Sequence, residues 1–376
     1  MLIMIGRRHK ISTSSKNELL KVAQRSTSIR QALILDSSAL TPVNFKSEKE
    51  KFFKSKSYNP KFEYINPPSE RFDIEIDELE QRVEDIDLPF DLLYHLIEYL
   101  NHLRFLYHAK HSIGRPTFPI YAKLAFNWKI IDPDVLIKSL PKFKFENEKR
   151  GDITKAEEIA FQLRNALQIK YKIKELDVEV DYFATNMIFV DFNIIKVGKD
   201  IKRFQNNIDR LIVHEVESHA LQNYNIKKSK NHLRLISKLS DSYLYSEGLG
   251  VYNEINTGTL TKNSFQNYYY RLKSIKNSHL SFRELYNNLV NEGISEKHAY
   301  NISFRVKRGM LDTSKAGCYP KDAAYLLGYK AVLKFLKDNP IELFYYAKNP
   351  HLTKLLMKYN LIGKKEVMLP KFHTVK

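Results

Sequence analysis

The stretch RLIVHEVESHALQNYN, residues 210–225, decides how the rest of the chain is read. Within it, His214-Glu215-Val216-Glu217-Ser218-His219 has the residues of a metal-binding H-E-x-x-H helix, with one residue too many between the histidines. Four apart on an α-helix, two histidines differ by about 40° and can share an ion; five apart, they differ by about 140°. A π-bulge adds one residue to a turn and restores their convergence. The motif is therefore a metal site only if the helix is locally π, and a straight α-helix here would exclude one.

A centre of this kind needs a third ligand, and SEGLG, residues 246–250, offers Glu247 on what reads as the next helix. Two histidines and one carboxylate leave the fourth position of a zinc ion open, as catalysis requires. Gly248 and Gly250 flank the glutamate, and each costs roughly 1 kcal/mol against alanine in a helix interior. Such glycines imply close approach of another backbone, expected to be that of the metal helix. The competing reading makes His214 and His219 ordinary half-buried histidines and Glu247 a surface acid. A second histidine group, His95, His102, His108 and His111, lies on a long helical pattern without a fixed acidic partner and reads as structural.

Around this centre the hydrophobic period changes twice. IDELEQRVEDIDLPFDLLYHLIEYLNHLRFLYHAKH and ITKAEEIAFQLRNALQIKY carry apolar residues three and four apart, predicting helices, the second one capped by Asp152. LDVEVDYF alternates and MIFVDFNIIKV is almost wholly apolar, predicting two strands immediately ahead of the HEVESH helix. Helical patterns resume at DSYLYSEGLGVYNEI, SFRELYNNLV, EKHAYNISFRVKRGM and KDAAYLLGYKAVLKFL. The order predicts an α+β fold, mainly helical, with a small sheet preceding the metal-binding helix. Residues 1–75 are charged and turn-rich, ending in a Lys/Ser/Pro connector, and read as an N-terminal arm packing on a body formed by residues 76–376.

The chain is 376 residues long with 43% hydrophobic residues, ample for a core. Its single cysteine, Cys318, excludes a disulfide framework, and MLIMIG is too short for a signal core or a membrane span, so a cytoplasmic location is expected. Lysine and arginine number 61 against 43 acidic residues, a net charge of +18 that would attract nucleic acid, an anionic surface or an acidic polypeptide. The basic residues fall in scattered runs such as KSEKEKFFKSKSYNPK, which read as solvated faces. With no nucleic-acid motif among them, no specific nucleic acid is expected as partner.

The pairing of H-E-x-x-x-H with a downstream E-G-L-A-like motif resembles the microtubule-associated tyrosine carboxypeptidases of eukaryotes and their bacterial relatives, the QEGLA-motif proteins. A third block, FRVKRGMLDTSKAGCYPKDAAYLLGY, is similar to the family's R-V-x-R-G stretch, glycine loop and K-D-x-x-Y-x-x-G helix. LTPVN and NPKFEY upstream are weaker matches. Ser246 and Gly250 stand where Gln or Glu and Ala are usual, and Cys318 follows Gly317 where a second glycine is expected.

The resemblance implies a zincin-like metallopeptidase with one zinc ion per chain on His214, His219 and Glu247, and Glu215 as general base. It also implies removal of a C-terminal, tyrosine-like residue from a polypeptide tail, with acidic tails favoured by the net charge. Within the third block, Tyr325 and Tyr329 are candidate hydroxyl donors to the oxyanion or the substrate, and Arg305, Arg308 and Lys321 are candidates for the terminal carboxylate. Glu254 would share a helix face with Glu247 and could orient a metal-bound histidine. MIFVDFNIIKV offers an edge to which a peptide could add. The alternative class is a non-catalytic regulatory or binding protein on the same scaffold.

Overall fold

The alternating run before the metal helix does form a strand, but the apolar run after it forms two. The computed structural model describes residues 11–35, 39–65, 71–145, 152–182, 188–191, 194–229, 240–363 and 366–374. The strands are β1 (Ile153–Lys155), β2 (Asp177–Asp181), β3 (Ile188–Asp191), β4 (Ile194–Gly198) and β5 (Lys202–Phe204). β4 is the central strand of a three-stranded sheet, parallel to β2 and antiparallel to β3. This corrects the expectation of one long strand: the apolar run is a central strand, with Ile195 and Val197 buried, plus an edge strand.

β1 and β5 pair separately, Thr154 opposite Arg203. That pairing takes Ile153–Lys155 away from the helix expected to begin there, so the helix starts at Ala156, is α-helical to Asn165 and continues as a π-helical stretch over Ala166–Lys170. Asp152 consequently does not cap it; its carbonyl accepts from the backbone N–H of Gln205, and Lys155 occupies the cap position without a side-chain bond.

The long amphipathic pattern of residues 76–111 is cut by Pro89 into helices Phe72–Glu84 and Phe90–His111. These pack with the helix Thr13–Ala32 around Leu19, Ile76, Leu96 and Leu103. A second contact ties the N-terminal segment to the C-terminal half: Phe52 and Phe62 are fully buried against Phe282 and Tyr300. There the N–H of Phe62 donates to the carbonyl of Leu311, and Lys61 bridges to Asp312. The basic run at 46–61 is thus not wholly a solvated face. Its helix, Phe45–Lys54, buries Phe52 and also Glu48, which accepts from Lys51, Tyr58 and the N–H of Lys61.

Four further helices contribute residues to the site, Ser240–Asn256, Lys262–Lys276, Glu296–Lys307 and Ala324–Leu336, and the helix Phe282–Asn291 packs behind them. The architecture is mainly helical with two small sheets, an α+β fold. Among the described residues no helix is long and apolar enough to cross a membrane. The MLIMIG stretch and residues 66–70 of the connector lie outside the described residues.

Candidate metal centre and the cavity beside it

The helix that carries HEVESH is α-helical at Ile208–Leu211, π-helical over Ile212–Ala220 and α-helical again at Leu221–Lys228. A π-turn leaves carbonyls without their usual donors, and this sequence provides substitutes. The hydroxyl of Ser218 donates to the carbonyl of Val213 at 2.9 Å, and that of Tyr345 to the carbonyl of Glu217 at 3.0 Å. Asn253 donates to both hydroxyl oxygens at 2.9 Å, which locks the pair in place.

With the extra residue absorbed, the rings of His214 and His219 face the same side, their centroids 4.9 Å apart. Glu247 reaches both: its Oε2 is 3.3 Å from Nε2 of His214 and 3.7 Å from Nε2 of His219. Candidate ligand atoms of all three residues lie within 4.8 Å of one another. Ligands at zinc bond lengths in a tetrahedron sit about 3.4 Å apart, so this donor set fits the ion.

The partners behind the rings set the tautomers that a metal requires. Nδ1 of His214 donates to Glu254 at 2.7 Å. Glu254 is fully buried and also accepts from Arg210 at 2.9 Å and Tyr268 at 3.2 Å. Nδ1 of His219 donates to Ser246 at 2.9 Å, Ser246 donates to Gln222 at 2.7 Å, and Gln222 donates to the carbonyl of Phe344. With both Nδ1 atoms engaged behind the rings, both Nε2 atoms face the shared space.

Burial alone would lower the pKa of His214, but bonds to Glu247 and Glu254 push it up to about 10. Burial works against ionised Glu247, and the two histidines overcome it and hold its carboxyl well below the usual range. These shifts describe a compact set of opposite charges. Glu215 differs: burial raises its pKa, and among the described residues no side chain bonds to it. Its carboxyl lines a cavity of about 1120 Å³.

Of the other expected site residues, Tyr325 stands in this cavity, its ring 6.2 Å from that of His214 and stacked at 4.5 Å on Tyr268. Arg305 and Arg308 line it as well. Two candidates lie outside the lining of this cavity. The Lys321 ammonium is 4.6 Å from the ring of Tyr243, and, against the effect of burial, the Glu247 carboxylate helps to raise its pKa. Tyr329, one turn beyond Tyr325 on nearly the same helix face, lies past the cavity in the apolar cluster on which Tyr268 and Tyr325 also pack, with Phe143 beside it. Of the flanking glycines, Gly250 meets the imidazole of His214 on the metal helix as expected. Gly248 instead meets the backbone of Gly328 on the helix Ala324–Leu336.

Three arginines in the cavity wall, Arg203, Arg210 and Arg271, escape the sequence reading. In a chain with 61 basic residues, nothing in their spacing distinguishes them. The one available signal for Arg271 is its place one turn after Tyr268, on a helix whose Leu272 and Ile275 are buried. The rival histidines form no such centre. His102 is buried, its pKa lowered to about 3 by its apolar surroundings, and His108 stacks on Tyr121.

Comparison with known proteins gives a consistent picture. The model of a family described as microtubule-associated tyrosine carboxypeptidase matches residues 50–348. Mouse MATCAP2 is 25% identical over 318 residues, covering 79% of this chain and 51% of its own. Mouse microtubule-associated tyrosine carboxypeptidase 1 is 24% identical over 308 residues, 79% of this chain and 56% of its own. The rat protein of the same name is 24% identical over 309 residues. The chain spans about half the length of these curated relatives.

Proposed function

From the premise that this chain belongs to the microtubule-associated tyrosine carboxypeptidase family, we propose that it is a zinc-dependent peptidase of carboxypeptidase type, with a zincin-like catalytic body. It would remove a C-terminal, tyrosine-like residue from an acidic polypeptide tail. The observation that carries this reading is the convergence of His214, His219 and Glu247 beside an unpaired Glu215, in the wall of a cavity rich in arginine. Residues 76–376 form the catalytic body in this proposal, and the arm of residues 1–75 contributes Leu40, Phe45 and Lys49 to the cavity wall.

His214, His219 and Glu247 would hold the zinc. Bound there, the ion would supply a Lewis acid for the scissile carbonyl and acidify the attacking water. Glu215 takes the proton of the attacking water on its carboxylate and returns it to the leaving amine nitrogen. Its position, buried yet open to the cavity, suits a base that must be free to exchange that proton. The hydroxyl of Tyr325 is kept protonated, since burial and the nearby Glu247 carboxylate hold its pKa far above the ordinary value; it serves as donor to the developing oxyanion. β3, an edge strand with Ile188 in the cavity wall, gives the substrate backbone a ladder to join.

The test is metal content of protein purified without chelator, for the wild type and for Glu247→Ala, with release of tyrosine from an acidic tyrosine-ended peptide assayed on the same samples. One zinc per chain and tyrosine release, both lost in the variant, are expected. Zinc without release from this peptide overturns the tyrosine-tail assignment, and absence of zinc overturns the metallopeptidase assignment.

A further inference from the structure

Around the buried carboxylate of Asp322 stand three guanidinium groups, all in the cavity wall. Arg305 takes the carboxylate as a two-pronged partner, with Nε at 2.5 Å from Oδ2 and an Nη at 2.9 Å from Oδ1. Arg271 and Arg308 approach the same group at 3.6 and 3.7 Å, too far for hydrogen bonds. One negative charge therefore faces three positive ones. The Nε atoms of Arg271 and Arg308 are buried without partners, and burial together with the neighbouring Arg305 lowers the pKa of both residues. Across the cavity Arg203 is lowered too, to about 10, by burial and by Arg210 and Arg271. A low-dielectric wall carrying uncompensated cations is unfavourable until an anion arrives.

The two unmatched guanidiniums are not equivalent. Arg308 is 7% exposed and lies 4.9 Å over the ring of Tyr319. Arg271 is 18% exposed, makes no hydrogen bond among the described residues, and sits 5.9 Å from the ring of Tyr325. The same ring lies 6.2 Å from that of His214. Tyr325 is thus a shared neighbour of the Arg271 guanidinium and of the candidate metal centre. One residue beyond a scissile bond carries its carboxylate about 3.8 Å further, one Cα spacing, with the scissile carbonyl and the carboxylate each a contact distance from its own partner.

Resting on the carboxypeptidase reading, we propose that Arg271 is the receptor for the α-carboxylate of the substrate's last residue, and so the group that makes the enzyme act at chain ends. Its planar fork accepts a carboxylate through two parallel bonds. Asp322 plays a different part, holding Arg305 aside and keeping the surplus charge at a position one residue past the cleavage point. A chain continuing beyond that point would place an uncharged peptide group against a guanidinium that makes no hydrogen bond among the described residues.

The assay is binding, measured by fluorescence anisotropy in a Glu215→Gln background to suppress turnover. The probes are two otherwise identical acidic peptides ending in tyrosine, one with a free carboxylate and one amidated. The background protein is expected to favour the free acid by about 100-fold, Arg271→Ala to abolish that preference, and Arg271→Lys to leave about tenfold. Affinity for the amide should change little in either variant, an outcome that general loss of structure would not give. If the lysine variant alone folds, its partial loss carries the test. Retention of the full preference in the variants overturns the assignment. Tyrosine release by the wild type, assayed in parallel, separates the two proposals. Release with the preference retained removes only the role of Arg271. No release, with a preference that Arg271→Ala abolishes, leaves Arg271 an end-carboxylate receptor and removes the peptidase reading. Neither release nor preference removes both.

Discussion

Gly248 and Gly328 stand backbone to backbone. A Cβ added at Gly248 would come within 2.1 Å of the carbonyl carbon of Gly328, and one added at Gly328 within 2.0 Å of the carbonyl oxygen of Leu244. The first helix carries Glu247 and Glu254, the second Tyr325, so this crossing sets the spacing between the candidate metal centre and the tyrosine beside it. Gly248→Ala is expected to force the helices apart and cost about 3 kcal/mol, read from the denaturant midpoint. Gly363→Ala, where an added Cβ meets nothing, is the control. Equal midpoints would mean that the crossing tolerates a methyl group.

Glu254 holds the far nitrogen of His214 while neutralising Arg210. Glu254→Gln retains an acceptor for that nitrogen but removes the charge, and is expected to weaken zinc binding by about 10–100-fold. Competition against a chromophoric chelator measures this. Unchanged affinity would show that Glu254 serves Arg210 alone.

Because the cavity wall carries an excess of guanidinium groups, turnover of an acidic tail should depend on salt. We expect kcat/KM to fall about tenfold between roughly 50 and 500 mM salt, chiefly through KM, while an uncharged tail with the same last residue changes much less. Parallel curves for the two peptides would rule out a role for the field of the cavity.

Lys307 is fully buried, its ammonium donating to the carbonyls of Ser278 and Lys315, and burial lowers its pKa to about 8. Unfolded, it titrates near 10.4. Between these values the unfolded chain holds more protons, so the contribution of Lys307 to stability rises with pH from about 8 to 10.4, by on the order of 2–3 kcal/mol. Comparing wild type with Lys307→Met removes the titration of other groups. The stability difference should move in favour of the wild type as pH rises across this window, and a constant difference would contradict the lowered pKa.

The candidate metal centre was legible because its geometry is local. HEVESH supplies two candidate ligands and, through its extra residue, the π-turn that would have to bring them together; SEGLG supplies a third candidate and the glycines that let its helix approach others. What could not be read depends on tertiary placement. Ile153–Lys155 follow a helical pattern, yet pair with Lys202–Phe204, which lie far along the chain. Lys321 and Tyr329 belong to a block whose motif marks the Gly328 crossing as much as the cavity, and Tyr329 lies one turn beyond Tyr325, past the cavity and among apolar neighbours. In one dimension Arg271 carries only its place one turn after Tyr268; it becomes distinctive when Asp322 is seen to be committed to Arg305.

The cavity draws its walls from Leu40, Phe45 and Lys49 near one end of the chain and from Arg308 and Tyr325 near the other. Contacts between such distant segments form late and slowly in folding. During synthesis, the pair His214 and His219 leaves the ribosome well before Tyr325. A nascent chain therefore passes through a stage with the histidine motif made but no enclosed cleft around it. In the carboxypeptidase reading, activity would begin only after the third block has been released and docked.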